Sequence, residues 1–425
     1  MKKLLSAILI ATVALDATAA RLPKQAEVLD AMHRANDYFM RKYKDPTVPT
    51  FVKKERPSNL WTRGVYYEGL AELIALDGQQ RDIDYINWWA NFHKFTPRNG
   101  VTTRDADDYC CCQAYIFLYE RNLAKTGKKD ESMIKPTIQC MDNLLSPTPP
   151  PAELAGKVRW SPNSVEDWTW IDAIQMGLPV LTRLSRVLYF DGDSQAERYA
   201  EQGWKMYEWT RNTLAGGLFN TDEGLWWRDK DFAPPYKEPN GEDCYWSRGN
   251  GWVYAALVRA MDNAMLAKHS PSGNLEPRGE YKWEVLPFEK HFDNYQKDFE
   301  RMSYALEKCQ RKDHFWNVSL HDQSNFGGKE LTGTALFVYG MAWGVRHGIL
   351  PSKMFKPIIA KTWKSMVKEC LHEDGFLGYV QGTGKEPKDS QPVGYSNQPD
   401  FDDFGLGCFL LAGAEVYRLS EPNGK

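Results

Sequence analysis

The chain has 425 residues, of which 42% are hydrophobic and 26% charged, a balance that excludes the disordered and fibrous classes. Its 53 Lys and Arg against 56 Asp and Glu leave a net charge of −3, which gives no electrostatic footprint for nucleic acid or an anionic membrane surface. The 16 Trp and 21 Tyr are the unusual component, and a core rich in large side chains accounts for most of them.

In chain order, the first expected element is a signal peptide over residues 1–20. Lys2 and Lys3 form a basic start, Leu4 to Leu15 is apolar, and Ala17, Thr18, Ala19 and Ala20 offer small residues for cleavage. The apolar stretch is too short to span a bilayer, and no later run reaches that length. The expectation is an exported mature chain from Arg21, not inserted in a membrane and forming one catalytic domain over 21–425, with the periplasm as its compartment.

From there, polar or glycine-rich clusters run straight into apolar helices at six places. They begin near Trp61 (WTRGVYYEGLAELIAL), Asp107 (DDYCCCQAYIFLYERNLA), Trp168 (WTWIDAIQMGLPVLTRLSRVL), Trp246 (WSRGNGWVYAALVRAMDNA), Leu331 (LTGTALFVYGMAWGVRHG) and Phe401 (FDDFGLGCFLLAGAEVYRL). The apolar residues run nearly all round these helices, as expected of elements packed on both sides. Amphipathic stretches fill the intervals: Ala26 to Tyr43, Tyr85 to Phe92, Met133 to Leu144, Ala196 to Leu214, Asn294 to Cys309 and Met354 to Cys370. Twelve helices in six hairpins predict an all-α fold, an (α/α)6 barrel with the apolar helices inside and the polar openings gathered into a cup. The openings share no repeat sequence and are unevenly spaced, which argues against an open solenoid. A short hairpin is expected near Gly217 to Trp227. Surface loops are expected over Ser146 to Leu154 and Ser270 to Gly279, and Asp229 to Asp243 as a loop overhanging the cup.

The chemistry-bearing residues cluster at the openings. On a helix, Trp168, Asp172, Gln175 and Met176 share a face, with Trp170 beside them. An acid among indoles and aliphatic carbons is poorly solvated when ionised, so the Asp172 pKa should rise into the range of a general acid. Asp107 and Asp108 open the second helix; one is expected to be its N-cap and the other to face the cup. Trp246, Arg248, Asn250 and Trp252 fall within seven residues, with flat faces for sugar rings and a guanidinium fork for a carboxylate. Trp61 and Arg63 either line the cup or pack the barrel end. Glu330, Thr332 and Thr334 either bind hydroxyls or cap a helix, and capping suffices for Asp402 and Asp403. Carboxylates amid aromatics point to sugar cleavage.

The dispersed His, without H-x-H or H-E-x-x-H, predict no metal, and neither a G-x-S-x-G elbow nor a phosphate loop is present. No cofactor is expected. The eight Cys, three of them consecutive at Cys110, Cys111 and Cys112, read as buried fillers rather than a disulfide framework.

The blocks WTRGVYYEGL, DADDYCCCQAY, WTWIDAIQMGLP, YWSRGNGWVYAAL, LTGTALFVYGMAWGVRHG and DFGLGCFLLAGAEVY resemble those of the unsaturated rhamnogalacturonyl hydrolases of glycoside hydrolase family 105, related to the unsaturated glucuronyl hydrolases of family 88. The likeness covers almost the whole mature chain. It implies an (α/α)6 barrel that removes a terminal 4,5-unsaturated uronic acid from lyase-generated oligosaccharides by hydrating the C4=C5 bond. It implies Asp172 as general acid/base and one of the adjacent pair, Asp107 ahead of Asp108, as second carboxylate. Asp108, Trp168, Trp170, Met176, Trp246, Arg248, Asn250, Trp252, Trp61 and Arg63 are the candidate substrate-binding residues, and the protein is expected as a monomer or weak homo-oligomer. Tyr109 stands where many relatives have His, Cys112 where Gly is usual, and a His that some relatives place before Trp168 is missing. These departures bear on the leaving sugar: rhamnose, or the amino sugar of a glycosaminoglycan fragment. The rival readings are an inverting glycosidase or an epimerase on the same barrel, or a sugar-binding protein without activity.

Overall fold

The computed structural model describes residues 21–146, 149, 152–154, 162–266, 284–287 and 289–420. The proposed signal peptide, the Ser270 to Gly279 loop and parts of the Ser146 to Leu154 loop lie outside the described residues.

Among the described residues thirteen α-helices appear in chain order: α1 Gln25–Lys42, α2 Trp61–Asp77, α3 Gln80–Phe92, α4 Ala106–Tyr109, α5 Cys112–Thr126, α6 Glu131–Leu145, α7 Asp172–Phe190, α8 Glu197–Asn212, α9 Ser247–Ala264, α10 Phe292–Lys308, α11 Leu331–Arg346, α12 Ser352–Glu369 and α13 Asp403–Leu419. Leaving aside the single turn α4, they alternate between two layers. The helices α2, α5, α7, α9, α11 and α13 pack side by side in a closed ring, α13 returning to α2. Each outer helix lies against one of them: α1 on α13, α3 on α2, α6 on α5, α8 on α7, α10 on α9 and α12 on α11. The (α/α)6 arrangement expected from the patterning is the observed one.

The physical basis is visible in burial. Helix α11 is buried from Leu331 through Val345, whereas α10 buries only one stripe, with Tyr295, Phe299, Met302 and Leu306 inward. An inner helix meets protein on all sides and an outer helix on one. The ring closes tightly where α13 crosses α2. A Cβ at Gly407 would stand 2.3 Å from the Val65 carbonyl, and one at Gly69 2.6 Å from the Gly407 carbonyl, so only glycines permit this approach.

Two short antiparallel hairpins complete the described structure. The pair β3 Phe219–Asn220 and β4 Leu225–Trp226 lies where a hairpin was expected. The pair β1 Thr50–Val52 and β2 Lys54–Arg56 was not anticipated. All eight Cys are buried free thiols, which agrees with their reading as fillers. Among the described residues no helix is long and apolar enough to cross a membrane.

Candidate active site

The N-terminal ends of the inner helices meet at one end of the ring, and two of them depart from the sequence expectation in ways that shape the site. The second opening is not one continuous helix. A separate turn, α4, is capped by Asp105, whose carboxylate accepts from the Asp107 amide. The expectation that Asp107 or Asp108 caps the helix is therefore corrected, and both side chains are released for other contacts. Asp108 is buried and held by Arg98, by Asn99 at 3.0 Å and by Thr103 at 2.5 Å. Asp107 is half-buried and interacts with Asp172.

The third opening also differs. Helix α7 starts at Asp172, so Trp168 is not one helical turn before it on a shared face. The chain there is drawn into extended pairing: Trp170 bridges Asp229, and the Ile171 amide donates to the Arg228 carbonyl at 3.0 Å. Trp168 is fully buried and its indole N–H donates to the Tyr109 hydroxyl at 2.9 Å. Its ring lies on the backbone of Gly177, where a Cβ would come within 2.4 Å of it. Met176 is buried in the wall one turn below Asp172.

Asp172 sits at the first turn of α7, where the helix dipole favours an anion. Burial nonetheless pushes its pKa up, opposed by Arg228 and Arg248, with Asp229 adding to the rise. Arg228 Nε donates to Asp172 Oδ2 at 3.2 Å, and its Nη1 to Asp229 Oδ2 at 2.6 Å. Among the described residues Asp107 makes no such ion pair, and Arg98 and Arg228 act on it only at longer range. Burial first, then Asp105, Asp172 and Asp108, push it up to about 8 against the pull of Arg98. The two carboxyls are thus set apart by their surroundings: both are raised by burial, but Asp172 has cations beside it, whereas acids crowd Asp107.

The remaining candidates fall into two groups. At the rim, Trp61 and Trp170 are half-buried. Trp61 packs edge-on to Trp252 at 6.3 Å and against Phe404 at 5.4 Å, bringing α2, α9 and α13 together. Trp246 and Trp252, by contrast, are buried, and Trp246 donates its indole N–H to the Gln381 side chain at 3.0 Å. Behind the rim, Arg248 is sandwiched between Trp246 and Phe404. Its Nη1 and Nη2 donate to the Gln381 and Gly382 carbonyls at 2.6 and 2.7 Å. The fork foreseen for a ligand carboxylate is occupied by main chain. Asn250 is wholly buried and bonds both the amide and the carbonyl of Trp226, tying β4 to α9. Arg63 is turned away from Asp172 into a pair with Asp403 at 3.2 Å, beneath Phe39 and Tyr43 of the α1 end. Glu330 caps α11 by accepting from Thr332 and Gly333, and Thr334 accepts from the Trp316 amide.

Sequence reasoning missed Arg228 and Gln381. Arg228 had a usable signal, since it follows the expected hairpin strand and begins the loop thought to overhang the cup. Gln381 had none: its neighbours carry no helical or strand period, and only the fold brings it under Trp246. Among the described residues no group of His, Cys, Asp and Glu could hold a metal ion.

A mouth with two neighbouring carboxyls and tryptophan walls belongs with carbohydrate chemistry, and comparison with known proteins agrees. The model of Glycosyl Hydrolase Family 88 matches residues 31–420. The chain belongs to glycosyl hydrolase family 88. It is a glycoside hydrolase by that membership. A relative from Formosa agariphila, named unsaturated 3S-rhamnoglycuronyl hydrolase, is 29% identical over 377 residues, covering 85% of each chain. A family 88 structure from Bacteroides vulgatus has a TM-score of 0.73 at 25% identity over 93% of this chain and all of the other. A possible family 105 member from Salmonella enterica shares the fold with a TM-score of 0.65 at 16% identity, covering 93% of this chain and 95% of its own. The likeness read from the motifs spans these two related families, and the family model that matches is that of family 88.

Proposed function

We propose that this family 88 protein removes a 4,5-unsaturated uronic acid from the end of an oligosaccharide left by a lyase, with rhamnose as the leaving sugar. The observation that carries this reading is the Asp172–Asp107 pair, one carboxyl beside a cation and the other raised by burial among acids, with Trp61 at the opening. The name of the Formosa agariphila relative supports rhamnose over an amino sugar.

The C4=C5 bond is conjugated with the C5 carboxylate. Protonation at C4 by Asp172 creates positive character at C5 and the ring oxygen. Water then adds its hydroxide at C5 and returns its proton to the carboxyl pair, so the pair is restored. The C5 hemiketal opens to a ketone, leaving a hemiacetal at C1 that collapses and frees the leaving sugar. The substrate consumes one water, and no bond to the anomeric carbon is attacked directly. Positioned proton transfer of this kind contributes on the order of 10²- to 10⁴-fold.

The basic start and apolar stretch of residues 2–15 support export, and we place the protein in the periplasm; recovery of the mature chain from the culture medium instead would refute that compartment. The activity itself is tested by the ultraviolet absorbance of the conjugated bond. An unsaturated uronyl-rhamnose disaccharide should lose it, and the Asp172→Asn variant should not remove it. Steady absorbance with wild-type protein, on this and on glycosaminoglycan disaccharides, would sink the reading.

A further inference from the structure

Two arginines face Asp172, and they are not equivalent. Arg248, from α9, is 1% exposed, and both terminal nitrogens donate to buried main-chain carbonyls. Turning that fork toward a ligand leaves the Gln381 and Gly382 carbonyls without donors in a dry place, a costly exchange. Arg228, at the end of β4, has a side chain 20% exposed. One nitrogen, Nη1, is anchored on Asp229 at 2.6 Å, and Asp229 is itself fixed by the Asp231 amide at 2.8 Å. The opposite edge of the guanidinium carries Nε and Nη2. Nε makes one long bond to Asp172, at 3.2 Å, and among the described residues Nη2 has no hydrogen-bond partner. That edge is the geometry that takes a carboxylate through two parallel bonds, and giving up one long bond opens it.

We propose that Arg228, and not Arg248, receives the uronate carboxylate, exchanging its bond to Asp172 for a two-pronged bond to the substrate. This deepens the proposed function and rests on it. The exchange has a chemical consequence. Asp172 loses its nearest cation at the moment an anion arrives beside it, so the proton held by Asp107 moves toward Asp172, next to C4. The charged groups around Asp172 are Arg228 and Asp229 at the β4 end, Arg248 on α9 and Asp107 on α4. Around Asp107 they are Asp105, Asp108, Asp172, Arg98 and, at longer range, Arg228 itself. Of these, Arg228 is the cation whose hydrogen bond to Asp172 a substrate carboxylate replaces. The substrate thus arms its own acid, and only when its carboxylate is charged. Arg248 keeps a supporting part by holding the 381–382 turn under Trp246.

The test compares the unsaturated disaccharide as free acid and as methyl ester, followed by absorbance, with wild type, Arg228→Gln and Arg228→Lys. Wild type should prefer the acid. Arg228→Gln should lower kcat/KM for the acid on the order of 10- to 100-fold, the worth of lost charge-assisted hydrogen bonds, and change the ester only a few-fold, so the preference collapses. Arg228→Lys, a point charge without the fork, should recover part of it. A variant that loses acid and ester activity equally has lost only a structural support, and that result overturns the inference while the proposed function stands. Wild type inactive on both forms overturns the two together. Matching melting curves for the Lys and Gln variants separate a carboxylate effect from misfolding.

Discussion

Asp172 and Asp107 differ in what stands beside them, and their expected behaviour differs accordingly. Asp172→Asn removes the group that faces Arg228 and should lower the rate of absorbance loss on the order of 10²- to 10⁴-fold while leaving the melting temperature nearly unchanged. Asp107 carries its proton up to about 8 in place of the ordinary 3.8. A carboxyl raised on folding binds its proton more tightly in the native state, so its contribution to stability is complete below the ordinary value and is lost as pH rises toward 8. Asp107→Asn has no proton to lose. Its melting temperature should therefore gain on wild type between pH 4 and pH 9, ending roughly 1–3 °C above; a difference that stays flat with pH would show that Asp107 titrates normally. The wild-type rate should in turn fall on the alkaline side as the shared proton is lost. Both residues were legible from the sequence as acids at helix openings. Their division of labour was not, because it depends on Arg228 and Arg98, which reach them from loops.

At the scale of the element, the two openings that departed from expectation are the ones that build the site. A helical period predicts continuous helices, and the apolar residues of α5 and α7 obey it. The first turns do not, because contacts between elements outweigh propensity there: Asp105 caps α4 on its own, and the contacts of residues 170–171 with 228–229 tie the chain down before α7 begins. The outer helices were readable to within a few residues, since their one-sided burial is written in the period. The close approach of Trp168 to Gly177 was not readable at all, because it joins a coil to a helix. That contact can be checked. Gly177→Ala places a methyl group inside the indole and should cost about 1–3 kcal/mol through forced displacement of the ring, read as a lower denaturation midpoint. Activity should fall with it, because the Trp168 segment leads directly into Asp172. A midpoint equal to wild type would mean the ring has room to move.

At the scale of the whole molecule, the ring encloses a charged axis, an unusual filling for a core. Beneath the cup, Glu68 of α2 is wholly inside, accepting from Gln113 of α5 and Gln175 of α7 at 2.8 Å each, with Arg259 of α9 at 3.8 Å. Deeper, Arg418 joins Glu72 to Glu415, which Arg346 also grips. These groups come from every side of the ring, so each inner helix is registered against its neighbours by polar contacts that apolar packing alone does not provide. Burial pushes Glu68 up to about 7, with Arg259 the main opposing influence. Removing the cation by Arg259→Met takes away the main charge partner of Glu68, with only the weaker influence of Arg183 remaining, and at pH 8 this should cost about 3–5 kcal/mol, the usual penalty for one member of a buried pair. At pH 5 Glu68 is protonated with or without Arg259, so much of the penalty disappears. Denaturant unfolding of the variant and the wild type at the two pH values measures the difference directly. A cost independent of pH would mean that Arg259 acts by filling space, and that the ring is held by its apolar seams, such as the α2–α13 crossing, rather than by its axis.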